Sequence, residues 1–558
     1  MATMMGIREE RRYNMSSNLR IAVAQINVTL GDFAANRKKI LEQIQKASEE
    51  KCDLILFPEA TLFGYHPFDL LERRQLVEMQ LKELREIEKK IPAGIGALIG
   101  LISKNPSKKG RPYFNSAALV QKGKKSQIFH KQLLPTGDVF DEARFIESGK
   151  TIKNIFSFKG KKILMTICED IWAWPMKDGS SQYAENPLEV LKGKKIDLVL
   201  NMSASPFYLG KEKIRQYLVE KTAQHFKAPV IYANLVGAQD EIIFDGSSFA
   251  VSAKGTEILR CAEFIEDFQI FDLRDNTKRK TTPKRLEART LRQALVLGIK
   301  DFCQKTGLQK IHLGLSGGVD SALAACLAVE ALGAKNVAGL AMPGEFNAPK
   351  SLSLARELAT NLGIQLLEAP IGQIYESTKE NIDAVFGVRE FGLVHENLQA
   401  RIRGLILMAY SNKENSLLLS TSNKSEYAAG YATMYGDMCG GLAPLGDLTK
   451  SQVYAICADY NLDGDVIPKE ILTRAPSAEL RPNQKDQDTL PPYDQLDQSV
   501  RKLIQECALA KTATDRWLLP ILMRTEFKRW QAPPILKVSS HSFGRGRRYP
   551  IAHRAKEI

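Results

Sequence analysis

Residues 311–321 read Ile311-His312-Leu313-Gly314-Leu315-Ser316-Gly317-Gly318-Val319-Asp320-Ser321. The apolar start predicts a buried strand ending in a turn of small residues. The Ala-rich stretch 321–332 predicts the helix that follows it. Backbone N–H groups at a helix start have no partner within the helix and lie at its positive end, so they suit a phosphate. Gly317 and Gly318 allow the backbone to approach that phosphate closely. Asp320 is a poor phosphate ligand by itself but suits a Mg²⁺ ion bridging phosphate oxygens. The order is not Walker A, because no G-x-x-x-x-G-K-[ST] occurs in the chain.

From Leu291 onward the pattern runs strand–loop–helix, which predicts a doubly wound α/β domain with its nucleotide crevice at the carboxyl ends of the strands. Residues 273–290 are charged, carry Pro283 and read as a joint. Upstream of it, short β-type runs alternate with helical stretches. Strands are expected at Ile21–Gln25, Leu54–Phe57, Ala97–Ile102, Phe114–Val120, Ile163–Ile167, Asp197–Asn201 and Pro229–Ala233, with helices over 36–50 and 71–90. Several of these strands are apolar on both faces, which predicts an α/β sandwich. The expected division is a flexible extension at 1–18, a first domain at 19–272, the joint, and a second domain at 291–558.

At 558 residues the chain is long enough for two domains. Charged residues are 25% and hydrophobic residues 44%, as in a soluble globular protein. No apolar run is long enough to span a bilayer, and Arg8-Glu9-Glu10-Arg11-Arg12 is no signal peptide. Eight cysteines without a C-x-x-C pair form no disulfide framework, so a reducing cytoplasm with free thiols is expected. The net charge of +14 permits nucleic-acid binding, but the basic residues are scattered, and nucleotide ligands account for it equally well.

In the first half, three segments follow expected strands: Phe57-Pro58-Glu59, His130-Lys131-Gln132-Leu133-Leu134-Pro135 and Thr166-Ile167-Cys168-Glu169-Asp170. A cysteine nucleophile needs a base, and its tetrahedral intermediate needs a cation or donor. Glu59, Lys131 and Cys168 supply these types. Singly, each is an ordinary core cysteine or surface charge. Together they resemble the carbon–nitrogen hydrolase (nitrilase) superfamily over about residues 19–272. The resemblance implies that Glu59 is the general base, that Lys131 stabilises the intermediate and that Cys168 forms a thioester. It places Glu142 as a second glutamate beside them. It implies a glutamine pocket drawn from Tyr65, Glu142, Glu169, Ser205 and Lys211. One departure is Leu134-Pro135-Thr136-Gly137, where Leu-Pro-x-Tyr is common; a tyrosine in the pocket is missing, and extra space beside Lys131 and Glu142 is expected unless an aromatic such as Tyr65 fills it.

The second half resembles glutamine-dependent NAD⁺ synthetase over nearly all of 285–550. The resemblance rests on Ser316–Ser321, Glu396-Asn397-Leu398-Gln399-Ala400-Arg401-Ile402-Arg403 and Ser420-Thr421-Ser422-Asn423-Lys424-Ser425-Glu426. It continues in Tyr435-Gly436-Asp437, Asp447-Leu448-Thr449-Lys450, Pro476-Ser477-Ala478-Glu479-Leu480 and the tail segment Arg547-Arg548-Tyr549-Pro550-Ile551. By that resemblance, Asp320 and Glu426 hold Mg²⁺, while Ser316, Gly317, Gly318, Asp320, Ser321, Thr421, Lys450 and Ser477 bind ATP or pyrophosphate. Asn397, Arg401, Glu426 and Asp437 contact deamido-NAD⁺. The chemistry fits these types: a carboxylate is a poor electrophile toward ammonia until adenylation supplies a leaving group. Ser422, Arg474, Gln487 and the segment Met342–Asn347 depart from the usual pattern without removing a required group.

The sequence therefore predicts an α/β enzyme with a nitrilase-type glutaminase domain and an ATP-pyrophosphatase-type synthetase domain. Its expected partners are glutamine, ATP and deamido-NAD⁺, with Mg²⁺ as cofactor, no nucleic acid and no membrane. The resemblance further implies a cytoplasmic homo-oligomer joined through the synthetase domain. Other amidotransferases with the same pyrophosphate loop are opposed by the amidase type and by Glu396–Arg403. An RNA-modifying enzyme would carry a sulfur relay or an RNA-binding module, and neither is found. A dead amidase scaffold is opposed by the presence of Glu59, Lys131 and Cys168 together.

Overall fold

A computed structural model describes residues 18–273, 286–462 and 464–555. The expected extension, apart from residue 18, and most of the joint lie outside the described residues. In the first half the strands are β1 (Arg20–Gln25), β2 (Leu54–Leu56), β3 (Gly96–Lys104), β4 (Tyr113–Gln121), β5 (Gln127–His130), β6 (Ile155–Phe158) and β7 (Lys161–Ile167). They continue as β8 (Leu198–Ser203), β9 (Val230–Asn234), β10 (Val236–Gln239), β11 (Ile242–Asp245), β12 (Phe249–Val251), β13 (Glu257–Arg260) and β14 (Asp267–Asp272). Two six-stranded sheets form, in the orders β14-β1-β2-β3-β4-β5 and β13-β12-β9-β8-β7-β6, and β10–β11 stands apart as a hairpin.

The inner faces of the two sheets share one apolar core, in which Ile21, Val23, Leu56, Leu98, Met165 and Leu200 are fully buried. Helices α1 (Phe33–Glu49) and α2 (Arg74–Lys90) pack beside the first sheet, and α3 (Lys211–Phe226) beside the second. The result is the expected α/β sandwich. Asp32 caps α1 by accepting from the Ala35 N–H. Helix α2 begins three residues later than expected, because Phe68–Glu72 closes a separate 3₁₀ turn first.

The second half is built on four parallel strands, β15 (Ile311–Gly314), β16 (Val337–Ala341), β17 (Gln365–Glu368) and β18 (Leu417–Leu418), in the order β17-β16-β15-β18. The helices around it include α4 (Glu287–Thr306), α5 (Val319–Leu332), α6 (Pro349–Leu362), α7 (Gly372–Phe386), α8 (Leu393–Glu414), α9 (Lys424–Ala429) and α10 (Lys450–Tyr460). Chain order reverses at β15, so the Ser316–Ser321 loop leaves the sheet at its topological switch point, where α/β sheets open a crevice.

The halves are joined by packing as well as by the chain. Phe207, Ala238 and Ile243 of the first half share a core with Leu291, Leu295 and Ile299 of α4 and with Leu536 and Val538 of the tail. Asp301 of α4 accepts from the Ala238 N–H (2.7 Å) and from the Asn27 amide (2.8 Å). All eight cysteines are free thiols. Among the described residues no helix is long and apolar enough to cross a membrane.

Candidate active sites

Three strand ends of the sandwich bring the first site together. Glu59 sits in the turn after β2, Lys131 directly follows β5 and Cys168 directly follows β7, and all three are buried. The Lys131 ammonium donates to Glu59 Oε1 (2.8 Å) and to Glu142 Oε1 (2.7 Å). Glu59 also accepts from the Ala204 N–H (2.8 Å) and the Asn115 amide (2.7 Å), and the Tyr65 hydroxyl donates to Glu142 (2.7 Å). Asn115 was not singled out in the sequence; it is the side chain that fixes Glu59 from β4.

Burial raises the pKa of the Glu59 carboxyl against the pull of Lys131. Burial opposes ionisation of Glu142 too, but Lys131 and His66 outweigh it and hold that carboxyl below its usual range. Burial and then the Glu59 charge push the Cys168 thiol well up, with Lys131 acting the other way. The resting thiol is thus neutral beside a carboxylate of increased basicity, which suits proton removal at the moment of attack.

The backbone at Cys168 has φ +41°, a left-handed conformation that a non-glycine residue adopts at a cost of roughly 1–3 kcal/mol. Asp170 holds it there. Its carboxylate accepts from the Ile167 N–H (2.9 Å) and from the N–H groups of Gln132 (2.9 Å) and Leu133 (3.0 Å), so it ties the Cys168 turn to the Lys131 loop.

The Lys211 ammonium lies among the rings of Tyr208 (5.1 Å), Trp172 (5.4 Å) and Phe140 (5.8 Å). Burial and the Arg215 charge bring it down to about 8. Among the described residues the buried Ser205 hydroxyl meets no hydrogen-bond partner. Glu169 is buried and accepts from the Tyr183 hydroxyl (2.8 Å). Gly137 is exposed, and a Cβ there meets nothing within 4 Å. The expected gap is therefore not a gap in the pocket: Tyr65, Phe140, Trp172 and Tyr208 supply aromatic walls.

The second site is a cavity of about 470 Å³ at the switch point. Of the residues expected there, Ser316, Gly317, Gly318, Asp320, Ser321, Thr421, Lys450, Ser477, Asn397, Glu426 and Asp437 all line it, and Arg401 does not. The exposed Arg401 guanidinium donates to the Met434 carbonyl (3.3 Å). Helix α8 instead presents Asn397, Ala400, Arg403, Gly404 and Leu407, a stripe of helical period. Arg401 is one residue, hence about 100°, round from Ala400. Arg403 lies about 120° from Asn397 round the helix and Arg401 only about 40°, so spacing from Asn397 alone favours Arg401; Arg403 lines the cavity because the facing stripe is centred near Ala400. Burial lowers its guanidinium to about 10.

Around the loop, the Ser316 hydroxyl accepts from the Gly318 N–H (3.2 Å) and lies 3.1 Å from the Ser321 hydroxyl. Gly317 has φ +79°, and a Cβ on it would lie 2.2 Å from the Ser351 carbonyl. Only glycine fits. Lys450 opens α10 behind the Thr449 cap and reaches Asp320 (2.6 Å) and Glu426 (3.3 Å). Asn423 caps α9 and donates to Asp320 (2.9 Å). Asp437 accepts from the Thr433 N–H (2.7 Å) and the Ser422 hydroxyl (3.2 Å).

The resemblance implies Mg²⁺, and the donors fit it. Asp320 and Glu426 offer hard oxygens, and Asp486, missed in the sequence, adds a buried Oδ1 without a partner at the same cavity. Among the described residues no three His, Cys, Asp or Glu side chains are close enough to hold a metal unaided. Phosphate oxygens would have to complete the shell.

The carbon-nitrogen hydrolase family matches residues 20–281, and the NAD synthase family matches residues 291–531. The glutamine-dependent NAD(+) synthetase of a Synechocystis species is 42% identical over 549 residues, covering 95% of this chain and 98% of that protein. This chain belongs to the glutamine-dependent NAD⁺ synthetase family. The Thermotoga maritima synthetase is 37% identical over 97% of this chain and 99% of its own length. The Acinetobacter baumannii synthetase, solved with adenosine diphosphate, has a TM-score of 0.75 at 32% identity, covering 96% of this chain and 98% of that one. A Cytophaga hutchinsonii synthetase has a TM-score of 0.79 at 23% identity, with the same coverage of each chain, and shares the fold.

Proposed function

We propose that this enzyme makes NAD⁺ by ATP-dependent amidation of deamido-NAD⁺ through an adenylate, with ammonia taken from glutamine. The observation that carries the reading is the presence in one chain of the buried Glu59–Lys131–Cys168 cluster and of the switch-point cavity with Lys450 between two carboxylates.

At the first site, Glu59 takes the Cys168 proton as sulfur attacks the amide carbon of glutamine, and Lys131 stabilises the oxyanion. Glu59 returns the proton to the departing nitrogen, and water then releases glutamate from the thioester. Lys211 and Ser205 receive the α-carboxylate, and Glu169 receives the α-ammonium. At the second site, N–H groups of the Ser316–Ser321 loop and the Lys450 ammonium hold the phosphates of ATP as the deamido-NAD⁺ carboxylate attacks the α-phosphorus and pyrophosphate leaves with the electrons of the broken bond. Ammonia displaces AMP near Asp437. Asp320 and Glu426 would hold Mg²⁺, which supplies charge neutralisation on the phosphates. An enclosed route between the sites keeps ammonia from protonation in bulk water.

The protein is cytoplasmic and homo-oligomeric in this reading. Leu393, Val394, Leu405 and Met408 of α8, with Tyr435, are exposed apolar side chains that a second copy would cover.

NAD⁺ formation from deamido-NAD⁺ and ATP, with glutamine or ammonium as donor, tests the whole. Cys168→Ala should lose glutamine-dependent synthesis and keep the ammonium-dependent reaction. Asp320→Ala should lose both. Full activity with glutamine in Cys168→Ala would refute the nucleophile assignment, and ammonium-dependent activity in Asp320→Ala would refute the metal role.

A further inference from the structure

Glu169 directly follows the nucleophile, so its carboxylate enters the pocket from the same single turn, Cys168–Ile171. It is 7% exposed. Among the described residues its hydrogen-bond donor is the hydroxyl of Tyr183, 2.8 Å from Oε1, which leaves Oε2 for a ligand. A carboxylate at this depth needs donors to remain charged. Burial pushes the Glu169 acid up; Lys131, Tyr183 and Lys211 oppose that, and Glu142 adds to it.

Tyr183 is no loose surface tyrosine. Its segment, residues 172–188, is irregular but closely tied. The Met176 N–H donates to the Ser180 carbonyl (2.8 Å), and the Ser181 hydroxyl donates to the carbonyls of Ala173 (3.2 Å) and Tyr183 (2.9 Å). The Tyr217 hydroxyl of α3 holds the Pro175 carbonyl (3.0 Å). These bonds fix where the phenol reaches, and it reaches Glu169, an acidic side chain that the proton transfers of the amidase chemistry do not use.

We propose that Tyr183 is a positioning residue for substrate selection: its hydroxyl fixes the Glu169 carboxylate to receive an α-ammonium group, so that the pocket prefers an amino-acid amide. The inference rests on the amidase reading of the first site. A ligand's ammonium meets a carboxylate whose orientation and charge are already set, so less is lost on ordering it. Substrates without an α-ammonium gain nothing from the device.

Tyr183→Phe removes the hydroxyl and keeps the ring. A hydrogen bond to a charged group is worth about 1.5–3 kcal/mol, which predicts a roughly 10- to 100-fold rise in KM for glutamine with little change in kcat. The acid limb of kcat/KM for glutamine should move to higher pH, because Glu169 loses a donor to its charged form. Two reagents separate positioning from general damage. Inactivation by 6-diazo-5-oxo-L-norleucine, which carries the α-ammonium, should slow by the same factor, while inactivation by iodoacetamide, which lacks it, should keep its rate. An unchanged KM for glutamine would overturn the proposal, and so would equal slowing by both reagents. If Cys168→Ala still hydrolyses glutamine, the amidase reading itself has failed and the inference goes with it.

Discussion

A methyl group added at Gly100 should disable the first site while leaving the second intact. Gly100 lies on β3, opposite Ala117 of β4, and directly beneath the turn that carries Glu59. A Cβ there would lie 2.3 Å from the Ala60 nitrogen, 2.5 Å from the Pro58 oxygen and 2.8 Å from the Glu59 carbonyl carbon. Ordinary contact begins near 3.4 Å, so the worst overlap is roughly 1 Å. All three atoms are backbone, and no rotamer change relieves them. The turn is also pinned to β3 from both sides, by Phe57 N–H to the Leu98 carbonyl (3.1 Å) and Leu62 N–H to the Gly100 carbonyl (2.9 Å). The turn must therefore shift, and Glu59 with it. Overpacking of this kind costs about 1–3 kcal/mol, and a displacement of about 1 Å at a catalytic group costs on the order of 100-fold in rate. Gly100→Ala should lower kcat/KM for glutamine hydrolysis by about that factor. Ammonium-dependent NAD⁺ formation measures the other domain and should stay within a few-fold of wild type. Glutaminase activity within twofold of wild type, in a protein that is folded by thermal melt, would refute the argument.

Gly317→Ala is the mirror case: its Cβ would meet the Ser351 carbonyl at 2.2 Å in a left-handed backbone, so calorimetry should show loss of ATP binding and synthesis should fail with both nitrogen donors while glutamine hydrolysis survives. Lys211 predicts a pH effect, since burial lowers its ammonium to about 8: its charge is present below that pH and fades above it, so KM for glutamine should rise roughly fivefold between pH 8 and 9. Lys211→Arg keeps its charge and should flatten that rise in the same titration. Gly137→Tyr should leave both glutamine affinity and the glutamate-to-NAD⁺ ratio unchanged, because the site is open and exposed; a changed ratio would show that the loop after Pro135 takes part in coupling.

The phosphate loop was readable because its physics is local. A strand end, two glycines and a helix start occupy eleven consecutive residues, and α5 begins at Val319, two residues before the expected start. Glu59, Lys131 and Cys168 were readable only together and by resemblance, since 72 residues separate the base from the lysine that touches it. Residues that act by holding others were not readable. Asp170 is one step past Glu169 in the sequence, yet its work is to clamp three N–H groups from two segments. Asn115, which fixes Glu59, has the same character. Tyr183 sits in a stretch without periodicity, where no pattern marks one tyrosine above another. Arg401 and Arg403 could not be separated by Asn397 alone, because the centre of the facing stripe, near Ala400, is set by how the helix packs.

What couples the halves is also a matter of burial rather than pattern. Lys424 stands next to Asn423, which holds Asp320, and its fully buried ammonium is bound by Asp447 (2.7 Å), the Ser539 hydroxyl (2.7 Å) and the His541 carbonyl (2.7 Å). Lys537, 1% exposed, binds the Ser539 (2.8 Å) and Ser540 (2.7 Å) carbonyls and reaches Asp138 (3.2 Å), on the loop between Lys131 and Glu142. Lys424 thus holds the tail at Ser539 and His541 from beside the second site, and Lys537 of the tail itself reaches Asp138 of the first half. Removing one partner of a buried ion pair costs about 3–5 kcal/mol, because the other charge is left without compensation. Neither grip can be released cheaply, so the amidase loop and the phosphate loop keep a fixed separation across the tail. A nitrogen donor and acceptor that exchange a small, easily lost molecule require that constancy, and here it comes from side chains that touch neither substrate.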